Sequence, residues 1–428
     1  MKAPEIPEIR IETGAGWKNT ILAGLANYID GGSIVSGSAA LALWVELYHL
    51  SPSFVGILGA FSANAISAGV GAAVGGLLCD RYGRKRIYQY DMLFYALGMA
   101  WLVFATSPWM IVVGFVLVGL AVGADIPASW SLIAEMAPKG RRGKHSGVAQ
   151  ILWYLGPVVV LLLFLVLSPL GPLAARIVFA HLALLALVLT FLRSRMLESQ
   201  LWKEARAARI DEYARTETAS RGQLRQLFTS RHIKAMAFLI GMYGLWNLWA
   251  GTNGFFFPYI LRTVGGQTQA AAVGLQAASF SLSILSIAVV FMPLSDRVNQ
   301  RYLFLIAAAL QIIGMSLLAL LPLTIAVAMI HIVLMQFGGG FGAQSFFQLW
   351  SAELFPTLLR ATAQGVTFAV VRIALGLWSF FVPILSATDF KTLAWILTGF
   401  LVASALVGLL WAPHHEGKTL EEIERQRR

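Results

Sequence analysis

Long apolar runs separated by short charged turns dominate the sequence. Each run approaches or exceeds the roughly 20 residues that a helix needs to cross the hydrocarbon core of a bilayer. Apolar runs of this length are typical of membrane-spanning helices rather than of helices buried in a soluble protein. Twelve such runs lie near 18–46, 53–79, 87–106, 109–136, 145–168, 171–193, 233–262, 269–294, 301–321, 324–352, 361–385 and 390–412.

One long polar segment interrupts this pattern at 194–232, where charges interleave with Leu, Ile and Tyr. We expect short amphipathic helices there, lying at the membrane surface. The segment divides the spans six and six. The predicted organisation is a first six-helix bundle at 1–193, the linker 194–232, a second six-helix bundle at 233–412 and a cytoplasmic tail at 413–428.

Composition and charge placement agree with a membrane protein. The 428 residues are 58% hydrophobic, and the formal net charge is +11. If the N-terminus is cytoplasmic, the outer loops hold only Arg176, Arg262 and Lys391 among the basic residues. This asymmetry follows the positive-inside rule and predicts that both termini face the cytoplasm. The basic excess therefore reflects topology, and we expect no nucleic-acid binding.

The two halves of the chain repeat one another. The stretch AEMAPKGRRGKHSG at 134–147 returns as AELFPTLLRATAQG at 352–365, and the pair Asp-Arg at 80–81 returns at 296–297. Two matches at nearly equal offsets indicate a duplicated six-span unit. Many secondary transporters use such duplicated bundles to place a substrate site at the membrane midplane, between halves that rock around it.

These motifs resemble the major facilitator superfamily over essentially the whole chain. The loop GLLCDRYGRK at 76–85 carries the superfamily pattern between spans 2 and 3. Glu135-x-x-Pro138, Glu353-x-Phe355-Pro356 and the tail HHEGKTLEEIER are similar to the sugar-porter group. The resemblance implies an all-α membrane fold with twelve transmembrane helices in two pseudo-symmetric six-helix bundles.

The same resemblance implies an ion network on the inner face. In the superfamily, the Asp of the loop motif bridges to charges on neighbouring helices, and the network closes the cytoplasmic side. A purely topogenic role is the alternative for the basic members, but it does not explain acidic residues at repeated positions. Gln300 stands where the first half has Arg84, so we expect the second network to be weaker. The predicted gating network is Asp80, Arg81, Arg84, Glu135, Arg142, Asp296, Arg297, Glu353 and Arg360.

Two acidic residues within spans are candidates for proton coupling, because a charge in mid-membrane costs about 2.5–3.5 kcal/mol or more. Asp30 resembles the first-span Asp of proton-coupled sugar porters, and burial suits a group that loads and releases a proton. A structural pairing of Asp30 with another helix is the alternative. Asp125, in GADIP, resembles the corresponding helix of phosphate–proton symporters. In sugar porters an Arg in span 4, after a Gly, is the partner of the first-span Asp. In this chain Gly114 is followed by Phe115, so the proton role stays open between Asp30 and Asp125.

Arg372 in span 11 is a permanently charged side chain within the bilayer and needs a partner. Either it pairs with Asp30 or Asp125 across a cavity, or it holds an anionic substrate. Related organic-ion transporters also carry an Arg in this span.

Amide and aromatic side chains are concentrated in spans 5, 7, 8 and 10, which favours a hydroxyl-rich ligand. Each amide alone is better explained by helix–helix bonding, which is worth about 0.6 kcal/mol, so it is their concentration that points to a ligand. The glycines at 338–340 predict either a soft, gating span 10 or a tight helix crossing. The predicted substrate-binding residues beside Arg372 are Trp246, Asn247, Trp249, Asn253, Gln150, Trp153, Gln276, Gln344, Gln348 and Trp350.

The predicted function is proton-coupled import of a small polar metabolite (a sugar, polyol or sugar acid) by alternating access in the inner membrane. A carrier of organic acids or ions, or an exporter, is the alternative within the same fold. A sensor or membrane enzyme is disfavoured, since the sequence has no phosphate loop and no Ser–His–Asp arrangement in register. With one cysteine, Cys79, and no second His at metal spacing to the histidines within spans, we expect no metal and no cofactor beyond the coupling proton. The expected partners are the polar substrate and the bilayer, with the protein as a monomer.

Overall fold

The fold is described from a computed structural model of the chain. It describes residues 13–138, 140–194, 198–215, 227–263, 265–322 and 324–413. The tail motif HHEGKTLEEIER lies outside the described residues. All regular elements within the described ranges are helical.

The first half consists of six spans. Pro and Ser or Gly begin several of them: Pro52 and Pro108 occupy the first helical turn, and the Ser51 and Ser107 hydroxyls accept backbone N–H groups there. Such residues satisfy or avoid the unpaired donors of a helix start. The helices are Thr13–Tyr48 (span 1), Pro52–Ala60 and Ile66–Tyr82 (span 2), Arg84–Val103 (span 3), Pro108–Met136 (span 4), Arg142–Leu167 (span 5) and Pro172–Arg193 (span 6).

The second half repeats this arrangement with more interruptions. Its helices are Ser230–Leu239 and Leu245–Thr263, joined by the π-helical turn Ile240–Gly244 (span 7), Gln269–Ser286 with the π-helical turn Ile287–Phe291 and Met292–Leu294 (span 8), Gln300–Leu320 (span 9), Ile325–Gly340 and Ala343–Glu353 (span 10), Thr357–Ser379 and Val382–Thr388 (span 11) and Phe390–Trp411 (span 12). The prediction of a twelve-span all-α bundle is confirmed.

Eight of the described helices are long and apolar enough, taken singly, to cross a membrane. They are spans 4, 5, 6, 8, 9, 10, 11 and 12. Two of the remaining four spans have a visible reason for falling short: span 2 is broken, and span 3 begins with three basic residues.

Spans 2 and 10 are broken in mid-course. Span 2, predicted as one run, unwinds at 61–65, where the Ser67 hydroxyl donates to the Ser62 carbonyl at 3.0 Å. Span 10 breaks at 341–342, directly after three glycines, which have low helix propensity. There the Ser345 hydroxyl donates to the Gly340 carbonyl at 2.8 Å. Side-chain hydroxyls thus satisfy the backbone groups that each break frees, as a membrane interior requires.

Spans 2, 4, 8 and 10 end, and spans 3, 5, 9 and 11 begin, at the same end of the bundle. We call it the basic end, because its loops and the linker carry most of the Lys and Arg residues. The linker contains the helix Gln200–Arg215. Just before it, the Glu198 carboxylate accepts the backbone N–H groups of Arg84 and Lys85 at 3.1 and 3.0 Å. This caps span 3 and fastens the linker to the first half.

The two halves meet chiefly through spans 2 and 11, spans 5 and 8, and spans 1 and 7. Glycine permits the closest approach. A Cβ on Gly76 would lie 2.3 Å from the Ala361 carbonyl oxygen, and one on Gly365 would lie 2.2 Å from that of Ala72. Small residues let helix backbones touch in this way and provide the packing that membrane helices rely on.

Packing within the first half should be sensitive at Gly156, where a Cβ would lie 2.0 Å from the Tyr28 carbonyl oxygen of span 1. We expect Gly156→Ala to lower the thermal unfolding temperature in detergent, because overpacking costs about 1–3 kcal/mol. Gly274→Ala is the matched control, since its Cβ meets no atom within 4 Å. Equal unfolding temperatures for both variants would contradict the close packing of spans 1 and 5.

Candidate functional site

A buried ion cluster joins the two halves at the basic end. One oxygen of Glu135, Oε1, accepts from Arg84 Nη2 of its own half at 2.9 Å and from Arg360 Nη1 of the other half at 2.8 Å. Arg84 also pairs with Asp80 at 3.2 Å and donates to the Thr357 carbonyl across the interface at 2.8 Å. The side chains of Arg84 and Glu135 have no exposed surface. The cluster therefore ties the start of span 11 to spans 2, 3 and 4.

A second cluster is related to the first by the sequence repeat. Arg142 pairs with Glu353 of the other half at 3.0 Å, as Arg360 pairs with Glu135. Asp296 accepts the N–H groups of Gly143 and Lys144, which begin span 5. Burial raises the pKa of the Asp296 carboxyl despite these two donors.

The repeat extends to the backbone contacts. Asp80 accepts the Thr362 N–H at 2.7 Å, and Thr362 stands at the repeat position of Lys144. The first cluster has an additional cation, Arg84, where the second has Gln300, whose amide donates to the Ser295 carbonyl instead. The second cluster thus has fewer charges and a partly exposed carboxylate in Asp296.

Two predicted members lie outside both clusters. Arg81 and Arg297 are exposed, and neither has an ion pair among the described residues. Each follows a clustered Asp directly, so the helical or turn geometry directs its side chain away from the interface. The network predicted from sequence is therefore reduced to seven charged residues.

A small cavity of about 50 Å³ lies between the halves, on the far side of these clusters from the basic end. Seven predicted substrate-binding residues line it: Trp153, Trp246, Asn247, Trp249, Asn253, Gln344 and Arg372. At roughly 10–15 Å³ for each water, a cavity of this size holds only a few water molecules. A ring-shaped metabolite would require the walls to move apart.

Arg372 is held on the cavity wall by neutral groups. Its Nη1 donates to Asn247 Oδ1, and its Nη2 donates to the Tyr243 hydroxyl, each at 3.2 Å. Tyr243 in turn donates to Gln344 Oε1 at 2.7 Å, and the Phe368 ring lies 4.3 Å from the guanidinium carbon. Among the described residues no carboxylate pairs with Arg372, so the predicted pairing with Asp30 or Asp125 does not occur in this conformation.

The other predicted substrate-binding residues lie away from the cavity lining. Gln150 donates to Gln348 at 2.5 Å, one helical turn nearer the basic end, and this bond joins spans 5 and 10 across the interface. Gln276 is bonded to the backbone of span 7. The prediction that Trp350 lines the cavity is wrong. Trp350 is fully buried in the second half, where its indole N–H donates to Gln300 at 2.6 Å. Its aromatic neighbours, not a ligand, account for its position.

Asp30 is buried one helical turn from the cavity-lining Ile34. Neither of its carboxyl oxygens has a hydrogen-bond partner in the described part of the chain. The charged groups that act on it are Asp125, Arg193, Asp91 and Arg372. Asp30 is therefore a buried acid without a hydrogen-bond partner. It lies close to the cavity and interacts electrostatically with charged groups of both halves.

Asp125 has a partner that the sequence interpretation missed. Arg193, the last residue of span 6, lies within the bundle and pairs with Asp125 at 2.9 Å. It also lies 3.7 Å from the carboxylate of Asp91 in span 3. Arg193 ends an apolar run and Asp91 follows a basic turn, so both resembled membrane-edge charges. The available signal was helix depth, because Asp91 lies two turns inside span 3.

Three polar residues of the cavity lining were missed: Asn64, Tyr154 and Gln336. Asn64 reaches the cavity only because span 2 breaks, and no strong sequence signal marked that break. Tyr154 lies four residues after the predicted Gln150 and was open to prediction, whereas a helix break separates Gln336 from Gln344. No group of His, Cys, Asp and Glu within the described ranges is arranged to hold a metal ion. The absence of a cofactor stays a prediction.

Replacing Glu135 should open the basic end. Glu135→Gln leaves Arg84 and Arg360 without their shared counter-charge, and removing one partner of a buried pair costs about 3–5 kcal/mol. The single cysteine, Cys79, is fully buried beside Ala361 of the other half and reports on this opening. We expect thiol-reagent labelling of Cys79 to accelerate by more than about tenfold.

Arg297→Gln is the control, because Arg297 is an exposed charge at the same end. It should leave the labelling rate of Cys79 unchanged. Equal labelling of the Glu135→Gln, Arg297→Gln and unmodified proteins would show that the cluster does not hold the halves together.

The chain is similar to known transporters over nearly its full length. The minor myo-inositol transporter IolF of Bacillus subtilis (strain 168) is 45% identical over 410 residues, which cover 96% of this chain and 93% of that protein. The arabinose-proton symporter of Bacillus subtilis (strain 168) is 25% identical, covering 94% of this chain and 93% of that protein. The proton:xylose symporter XylE, from E. coli, bound to 6-bromo-6-deoxy-D-glucose, has the same fold, with a TM-score of 0.78 at 20% identity and coverage of 97% and 99%.

The Major Facilitator Superfamily profile matches residues 20–379, well over half of the chain. The prediction that the chain is a transporter and not an enzyme is confirmed by these relatives. The chain belongs to the Major Facilitator Superfamily and is a multi-pass membrane transporter.

Proposed function

We propose that this transporter is a proton-coupled symporter that imports a cyclic polyol of the inositol class. The observation that carries the proposal is the cavity between the halves, which combines amides, indoles and one guanidinium with an unpartnered acid one turn away. The similarity to a protein named as a myo-inositol transporter supports the substrate class, and those to proton symporters support the coupling.

Polyol recognition follows from the chemistry of the wall. Every hydroxyl both donates and accepts a hydrogen bond, and an amide side chain offers one acceptor and two donor hydrogens at one position. Asn64, Asn253 and Gln344 supply such groups from three spans. The indole faces of Trp153 and Trp249 would cover the C–H faces of a saturated ring, leaving its rim to the amides.

The basic end is assigned to the cytoplasm of a bacterial cell, with both termini on that side of the inner membrane. The positive-inside rule supports this orientation. In the described conformation the ion clusters then close the cytoplasmic side, and substrate must enter from the opposite end. At that end Arg262 pairs with Glu46 across the halves, but the Glu46 side chain is largely exposed, so the pair contributes little.

Asp30 is assigned as the coupling proton site. An ionised carboxylate without a hydrogen-bond donor is strongly disfavoured in a dry bundle, so Asp30 is neutral in this conformation. Opening of the cytoplasmic side would hydrate it and permit release of the proton. Substrate and proton then share one cycle, because Asp30 and the cavity are separated by one helical turn.

A second substrate class, sugar acids, is favoured by one observation. Arg372 lines the cavity with a full positive charge that only neutral groups contact. A carboxylate on the ligand would meet this charge with a strong, charge-assisted hydrogen bond.

Reconstituted transport tests the proposed coupling. In proteoliposomes with an imposed gradient of one pH unit, one-to-one symport supports about tenfold accumulation of labelled myo-inositol, since one pH unit equals about 1.4 kcal/mol. Asp30→Asn should lose accumulation yet exchange labelled for unlabelled substrate, because its amide mimics the protonated acid. Glu204→Gln, an exposed acid of the linker helix, is the control and should accumulate normally.

Two results would contradict this proposal. Full accumulation by Asp30→Asn would remove Asp30 from the proton role. If the unmodified protein accumulates neither inositols nor sugars, symport of a polyol is not its function, and another activity of the same fold takes its place.

Competition measurements separate the two substrate classes. We expect Arg372→Gln to weaken glucuronate binding by about tenfold to a hundredfold, the loss of one charged hydrogen bond of about 1.5–3 kcal/mol. Binding of myo-inositol should fall by much less. Isothermal titration of both ligands makes the comparison, with Arg297→Gln as the control; equal losses for the two ligands would assign Arg372 a role in shaping the wall rather than in binding a carboxylate.

A further inference from the structure

A second group of ionisable residues is buried in the first half, away from the cavity lining. It joins three spans: Asp91 from span 3, Asp125 from span 4 and Arg193 from span 6. Arg193 Nη1 lies 2.9 Å from Asp125 Oδ1 and 3.7 Å from Asp91 Oδ1. The three side chains are at most 1% exposed. Groups so deeply buried cannot rely on water to stabilise their charges.

The two carboxyl groups of this cluster share one guanidinium nitrogen, Arg193 Nη1, and the other oxygen of each, Oδ2, is buried without a hydrogen-bond partner in the described part of the chain. An ionised carboxylate is only an acceptor, and neither Oδ2 has a donor to stabilise its negative charge. One guanidinium balances one carboxylate. Leaving both acids ionised would place an uncompensated charge in a low-dielectric interior, at a cost of several kcal/mol. Charge balance therefore requires one proton in the pair.

The geometry distinguishes the two acids. Asp125 has the shorter contact to Arg193 and acts as its counter-ion, while Asp91 accepts the Met92 N–H at 2.5 Å and lies farther from the guanidinium. The opposite face of Arg193 is covered by the Tyr88 ring, whose centroid is 4.0 Å from the guanidinium carbon. No basic group other than Arg193 is placed against the pair in the described ranges.

The cluster lies between Asp30 and the basic end. Asp91 is two helical turns from Arg84, at the start of span 3, and Asp125 is ten residues before Glu135 on span 4. Of the charged groups around Asp30, Asp125 and Arg193 act on it most strongly, and Arg372 acts from the other half. The pair thus offers an acidic site to which a proton leaving Asp30 towards the basic end can move.

We propose that Asp91 and Asp125, positioned by Arg193, form a second proton-binding site that receives the coupling proton from Asp30. The proposal rests on the proton-coupled function above. In each transfer, one proton moves from Asp30 to the pair, and Asp30 becomes a carboxylate. One proton leaves the pair towards the basic end. The pair holds one proton before and after the step, and Arg193 keeps one carboxylate as its counter-ion throughout.

Infrared spectroscopy of the reconstituted full-length protein tests the shared proton. The C=O stretch of a protonated carboxyl group should be present at neutral pH in Asp30→Asn, because the pair keeps its proton. Adding Asp91→Asn should reduce this band, whereas adding Glu204→Gln should not. An Asp30→Asn protein without any such band, or an Asp91→Asn change that leaves the band intact, overturns the proposal.

Transport tests the role of the site. Substrate exchange, which moves no net proton, serves as the reference for folded protein. Relative to exchange, the initial rate of uptake driven by a pH gradient should fall about a hundredfold in Asp91→Asn, the lower range for losing a positioned proton-transfer group. The pH profile of this uptake rate should show one ionisation fewer than that of the unmodified protein. Arg193→Lys should retain more gradient-driven uptake than Arg193→Gln, because it keeps the charge.

The two proposals fail in different ways. Gradient-driven uptake and a pH profile like those of the unmodified protein in Asp91→Asn would overturn the second site and leave Asp30 as the proton carrier. Full accumulation in Asp30→Asn would instead overturn the proposed function itself.

Discussion

The shared use of one carboxylate by the two halves is the contact on which the closed arrangement depends. Glu135 binds Arg84 from its own half and Arg360 from the other, in a site with no exposed side-chain surface. Ions suit a reversible contact better than an apolar surface does. When the halves separate, water solvates each charge, so the desolvation cost of closing offsets much of the attraction. The closed and open states can then lie within the few kcal/mol that a proton and a substrate are able to shift.

The two halves divide the work of the transporter. Buried ionisable groups are concentrated in the first half, around Asp30, Asp125 and Arg193, whereas most polar cavity residues come from spans 7, 10 and 11 of the second. Asp30 in the first half and Arg372 in the second interact electrostatically across the interface. In the proposed cycle, a change of charge on Asp30 alters the free energy of the wall that binds substrate. Coupling then needs no direct contact between the proton and the ligand.

Sequence patterns predicted the spans, the duplication and the residue pairs at repeated positions, because these follow from hydropathy and from self-similarity. The repeat did not reveal that Glu135 pairs with Arg360 and Arg142 with Glu353, because partner choice depends on how the halves dock. Arg193 and Asp91 were missed since each borders a charged turn, and only the packed bundle shows their depth. Trp350 was misplaced because polar and aromatic composition identifies a helix rich in such residues but not which face meets the cavity.

A double-mutant cycle at the basic end tests the central contact most directly. Spin labels on cysteines at positions 81 and 297, exposed and on opposite halves, would report the separation of the halves in a Cys79→Ser background. Glu135→Gln and Arg360→Gln should each shift the distances towards longer values, and the double variant should show a coupling of about 0.5–3 kcal/mol because both changes remove the same interaction. Unchanged distances in the single variants, or strictly additive shifts in the double variant, would contradict a basic end held closed by this ion cluster.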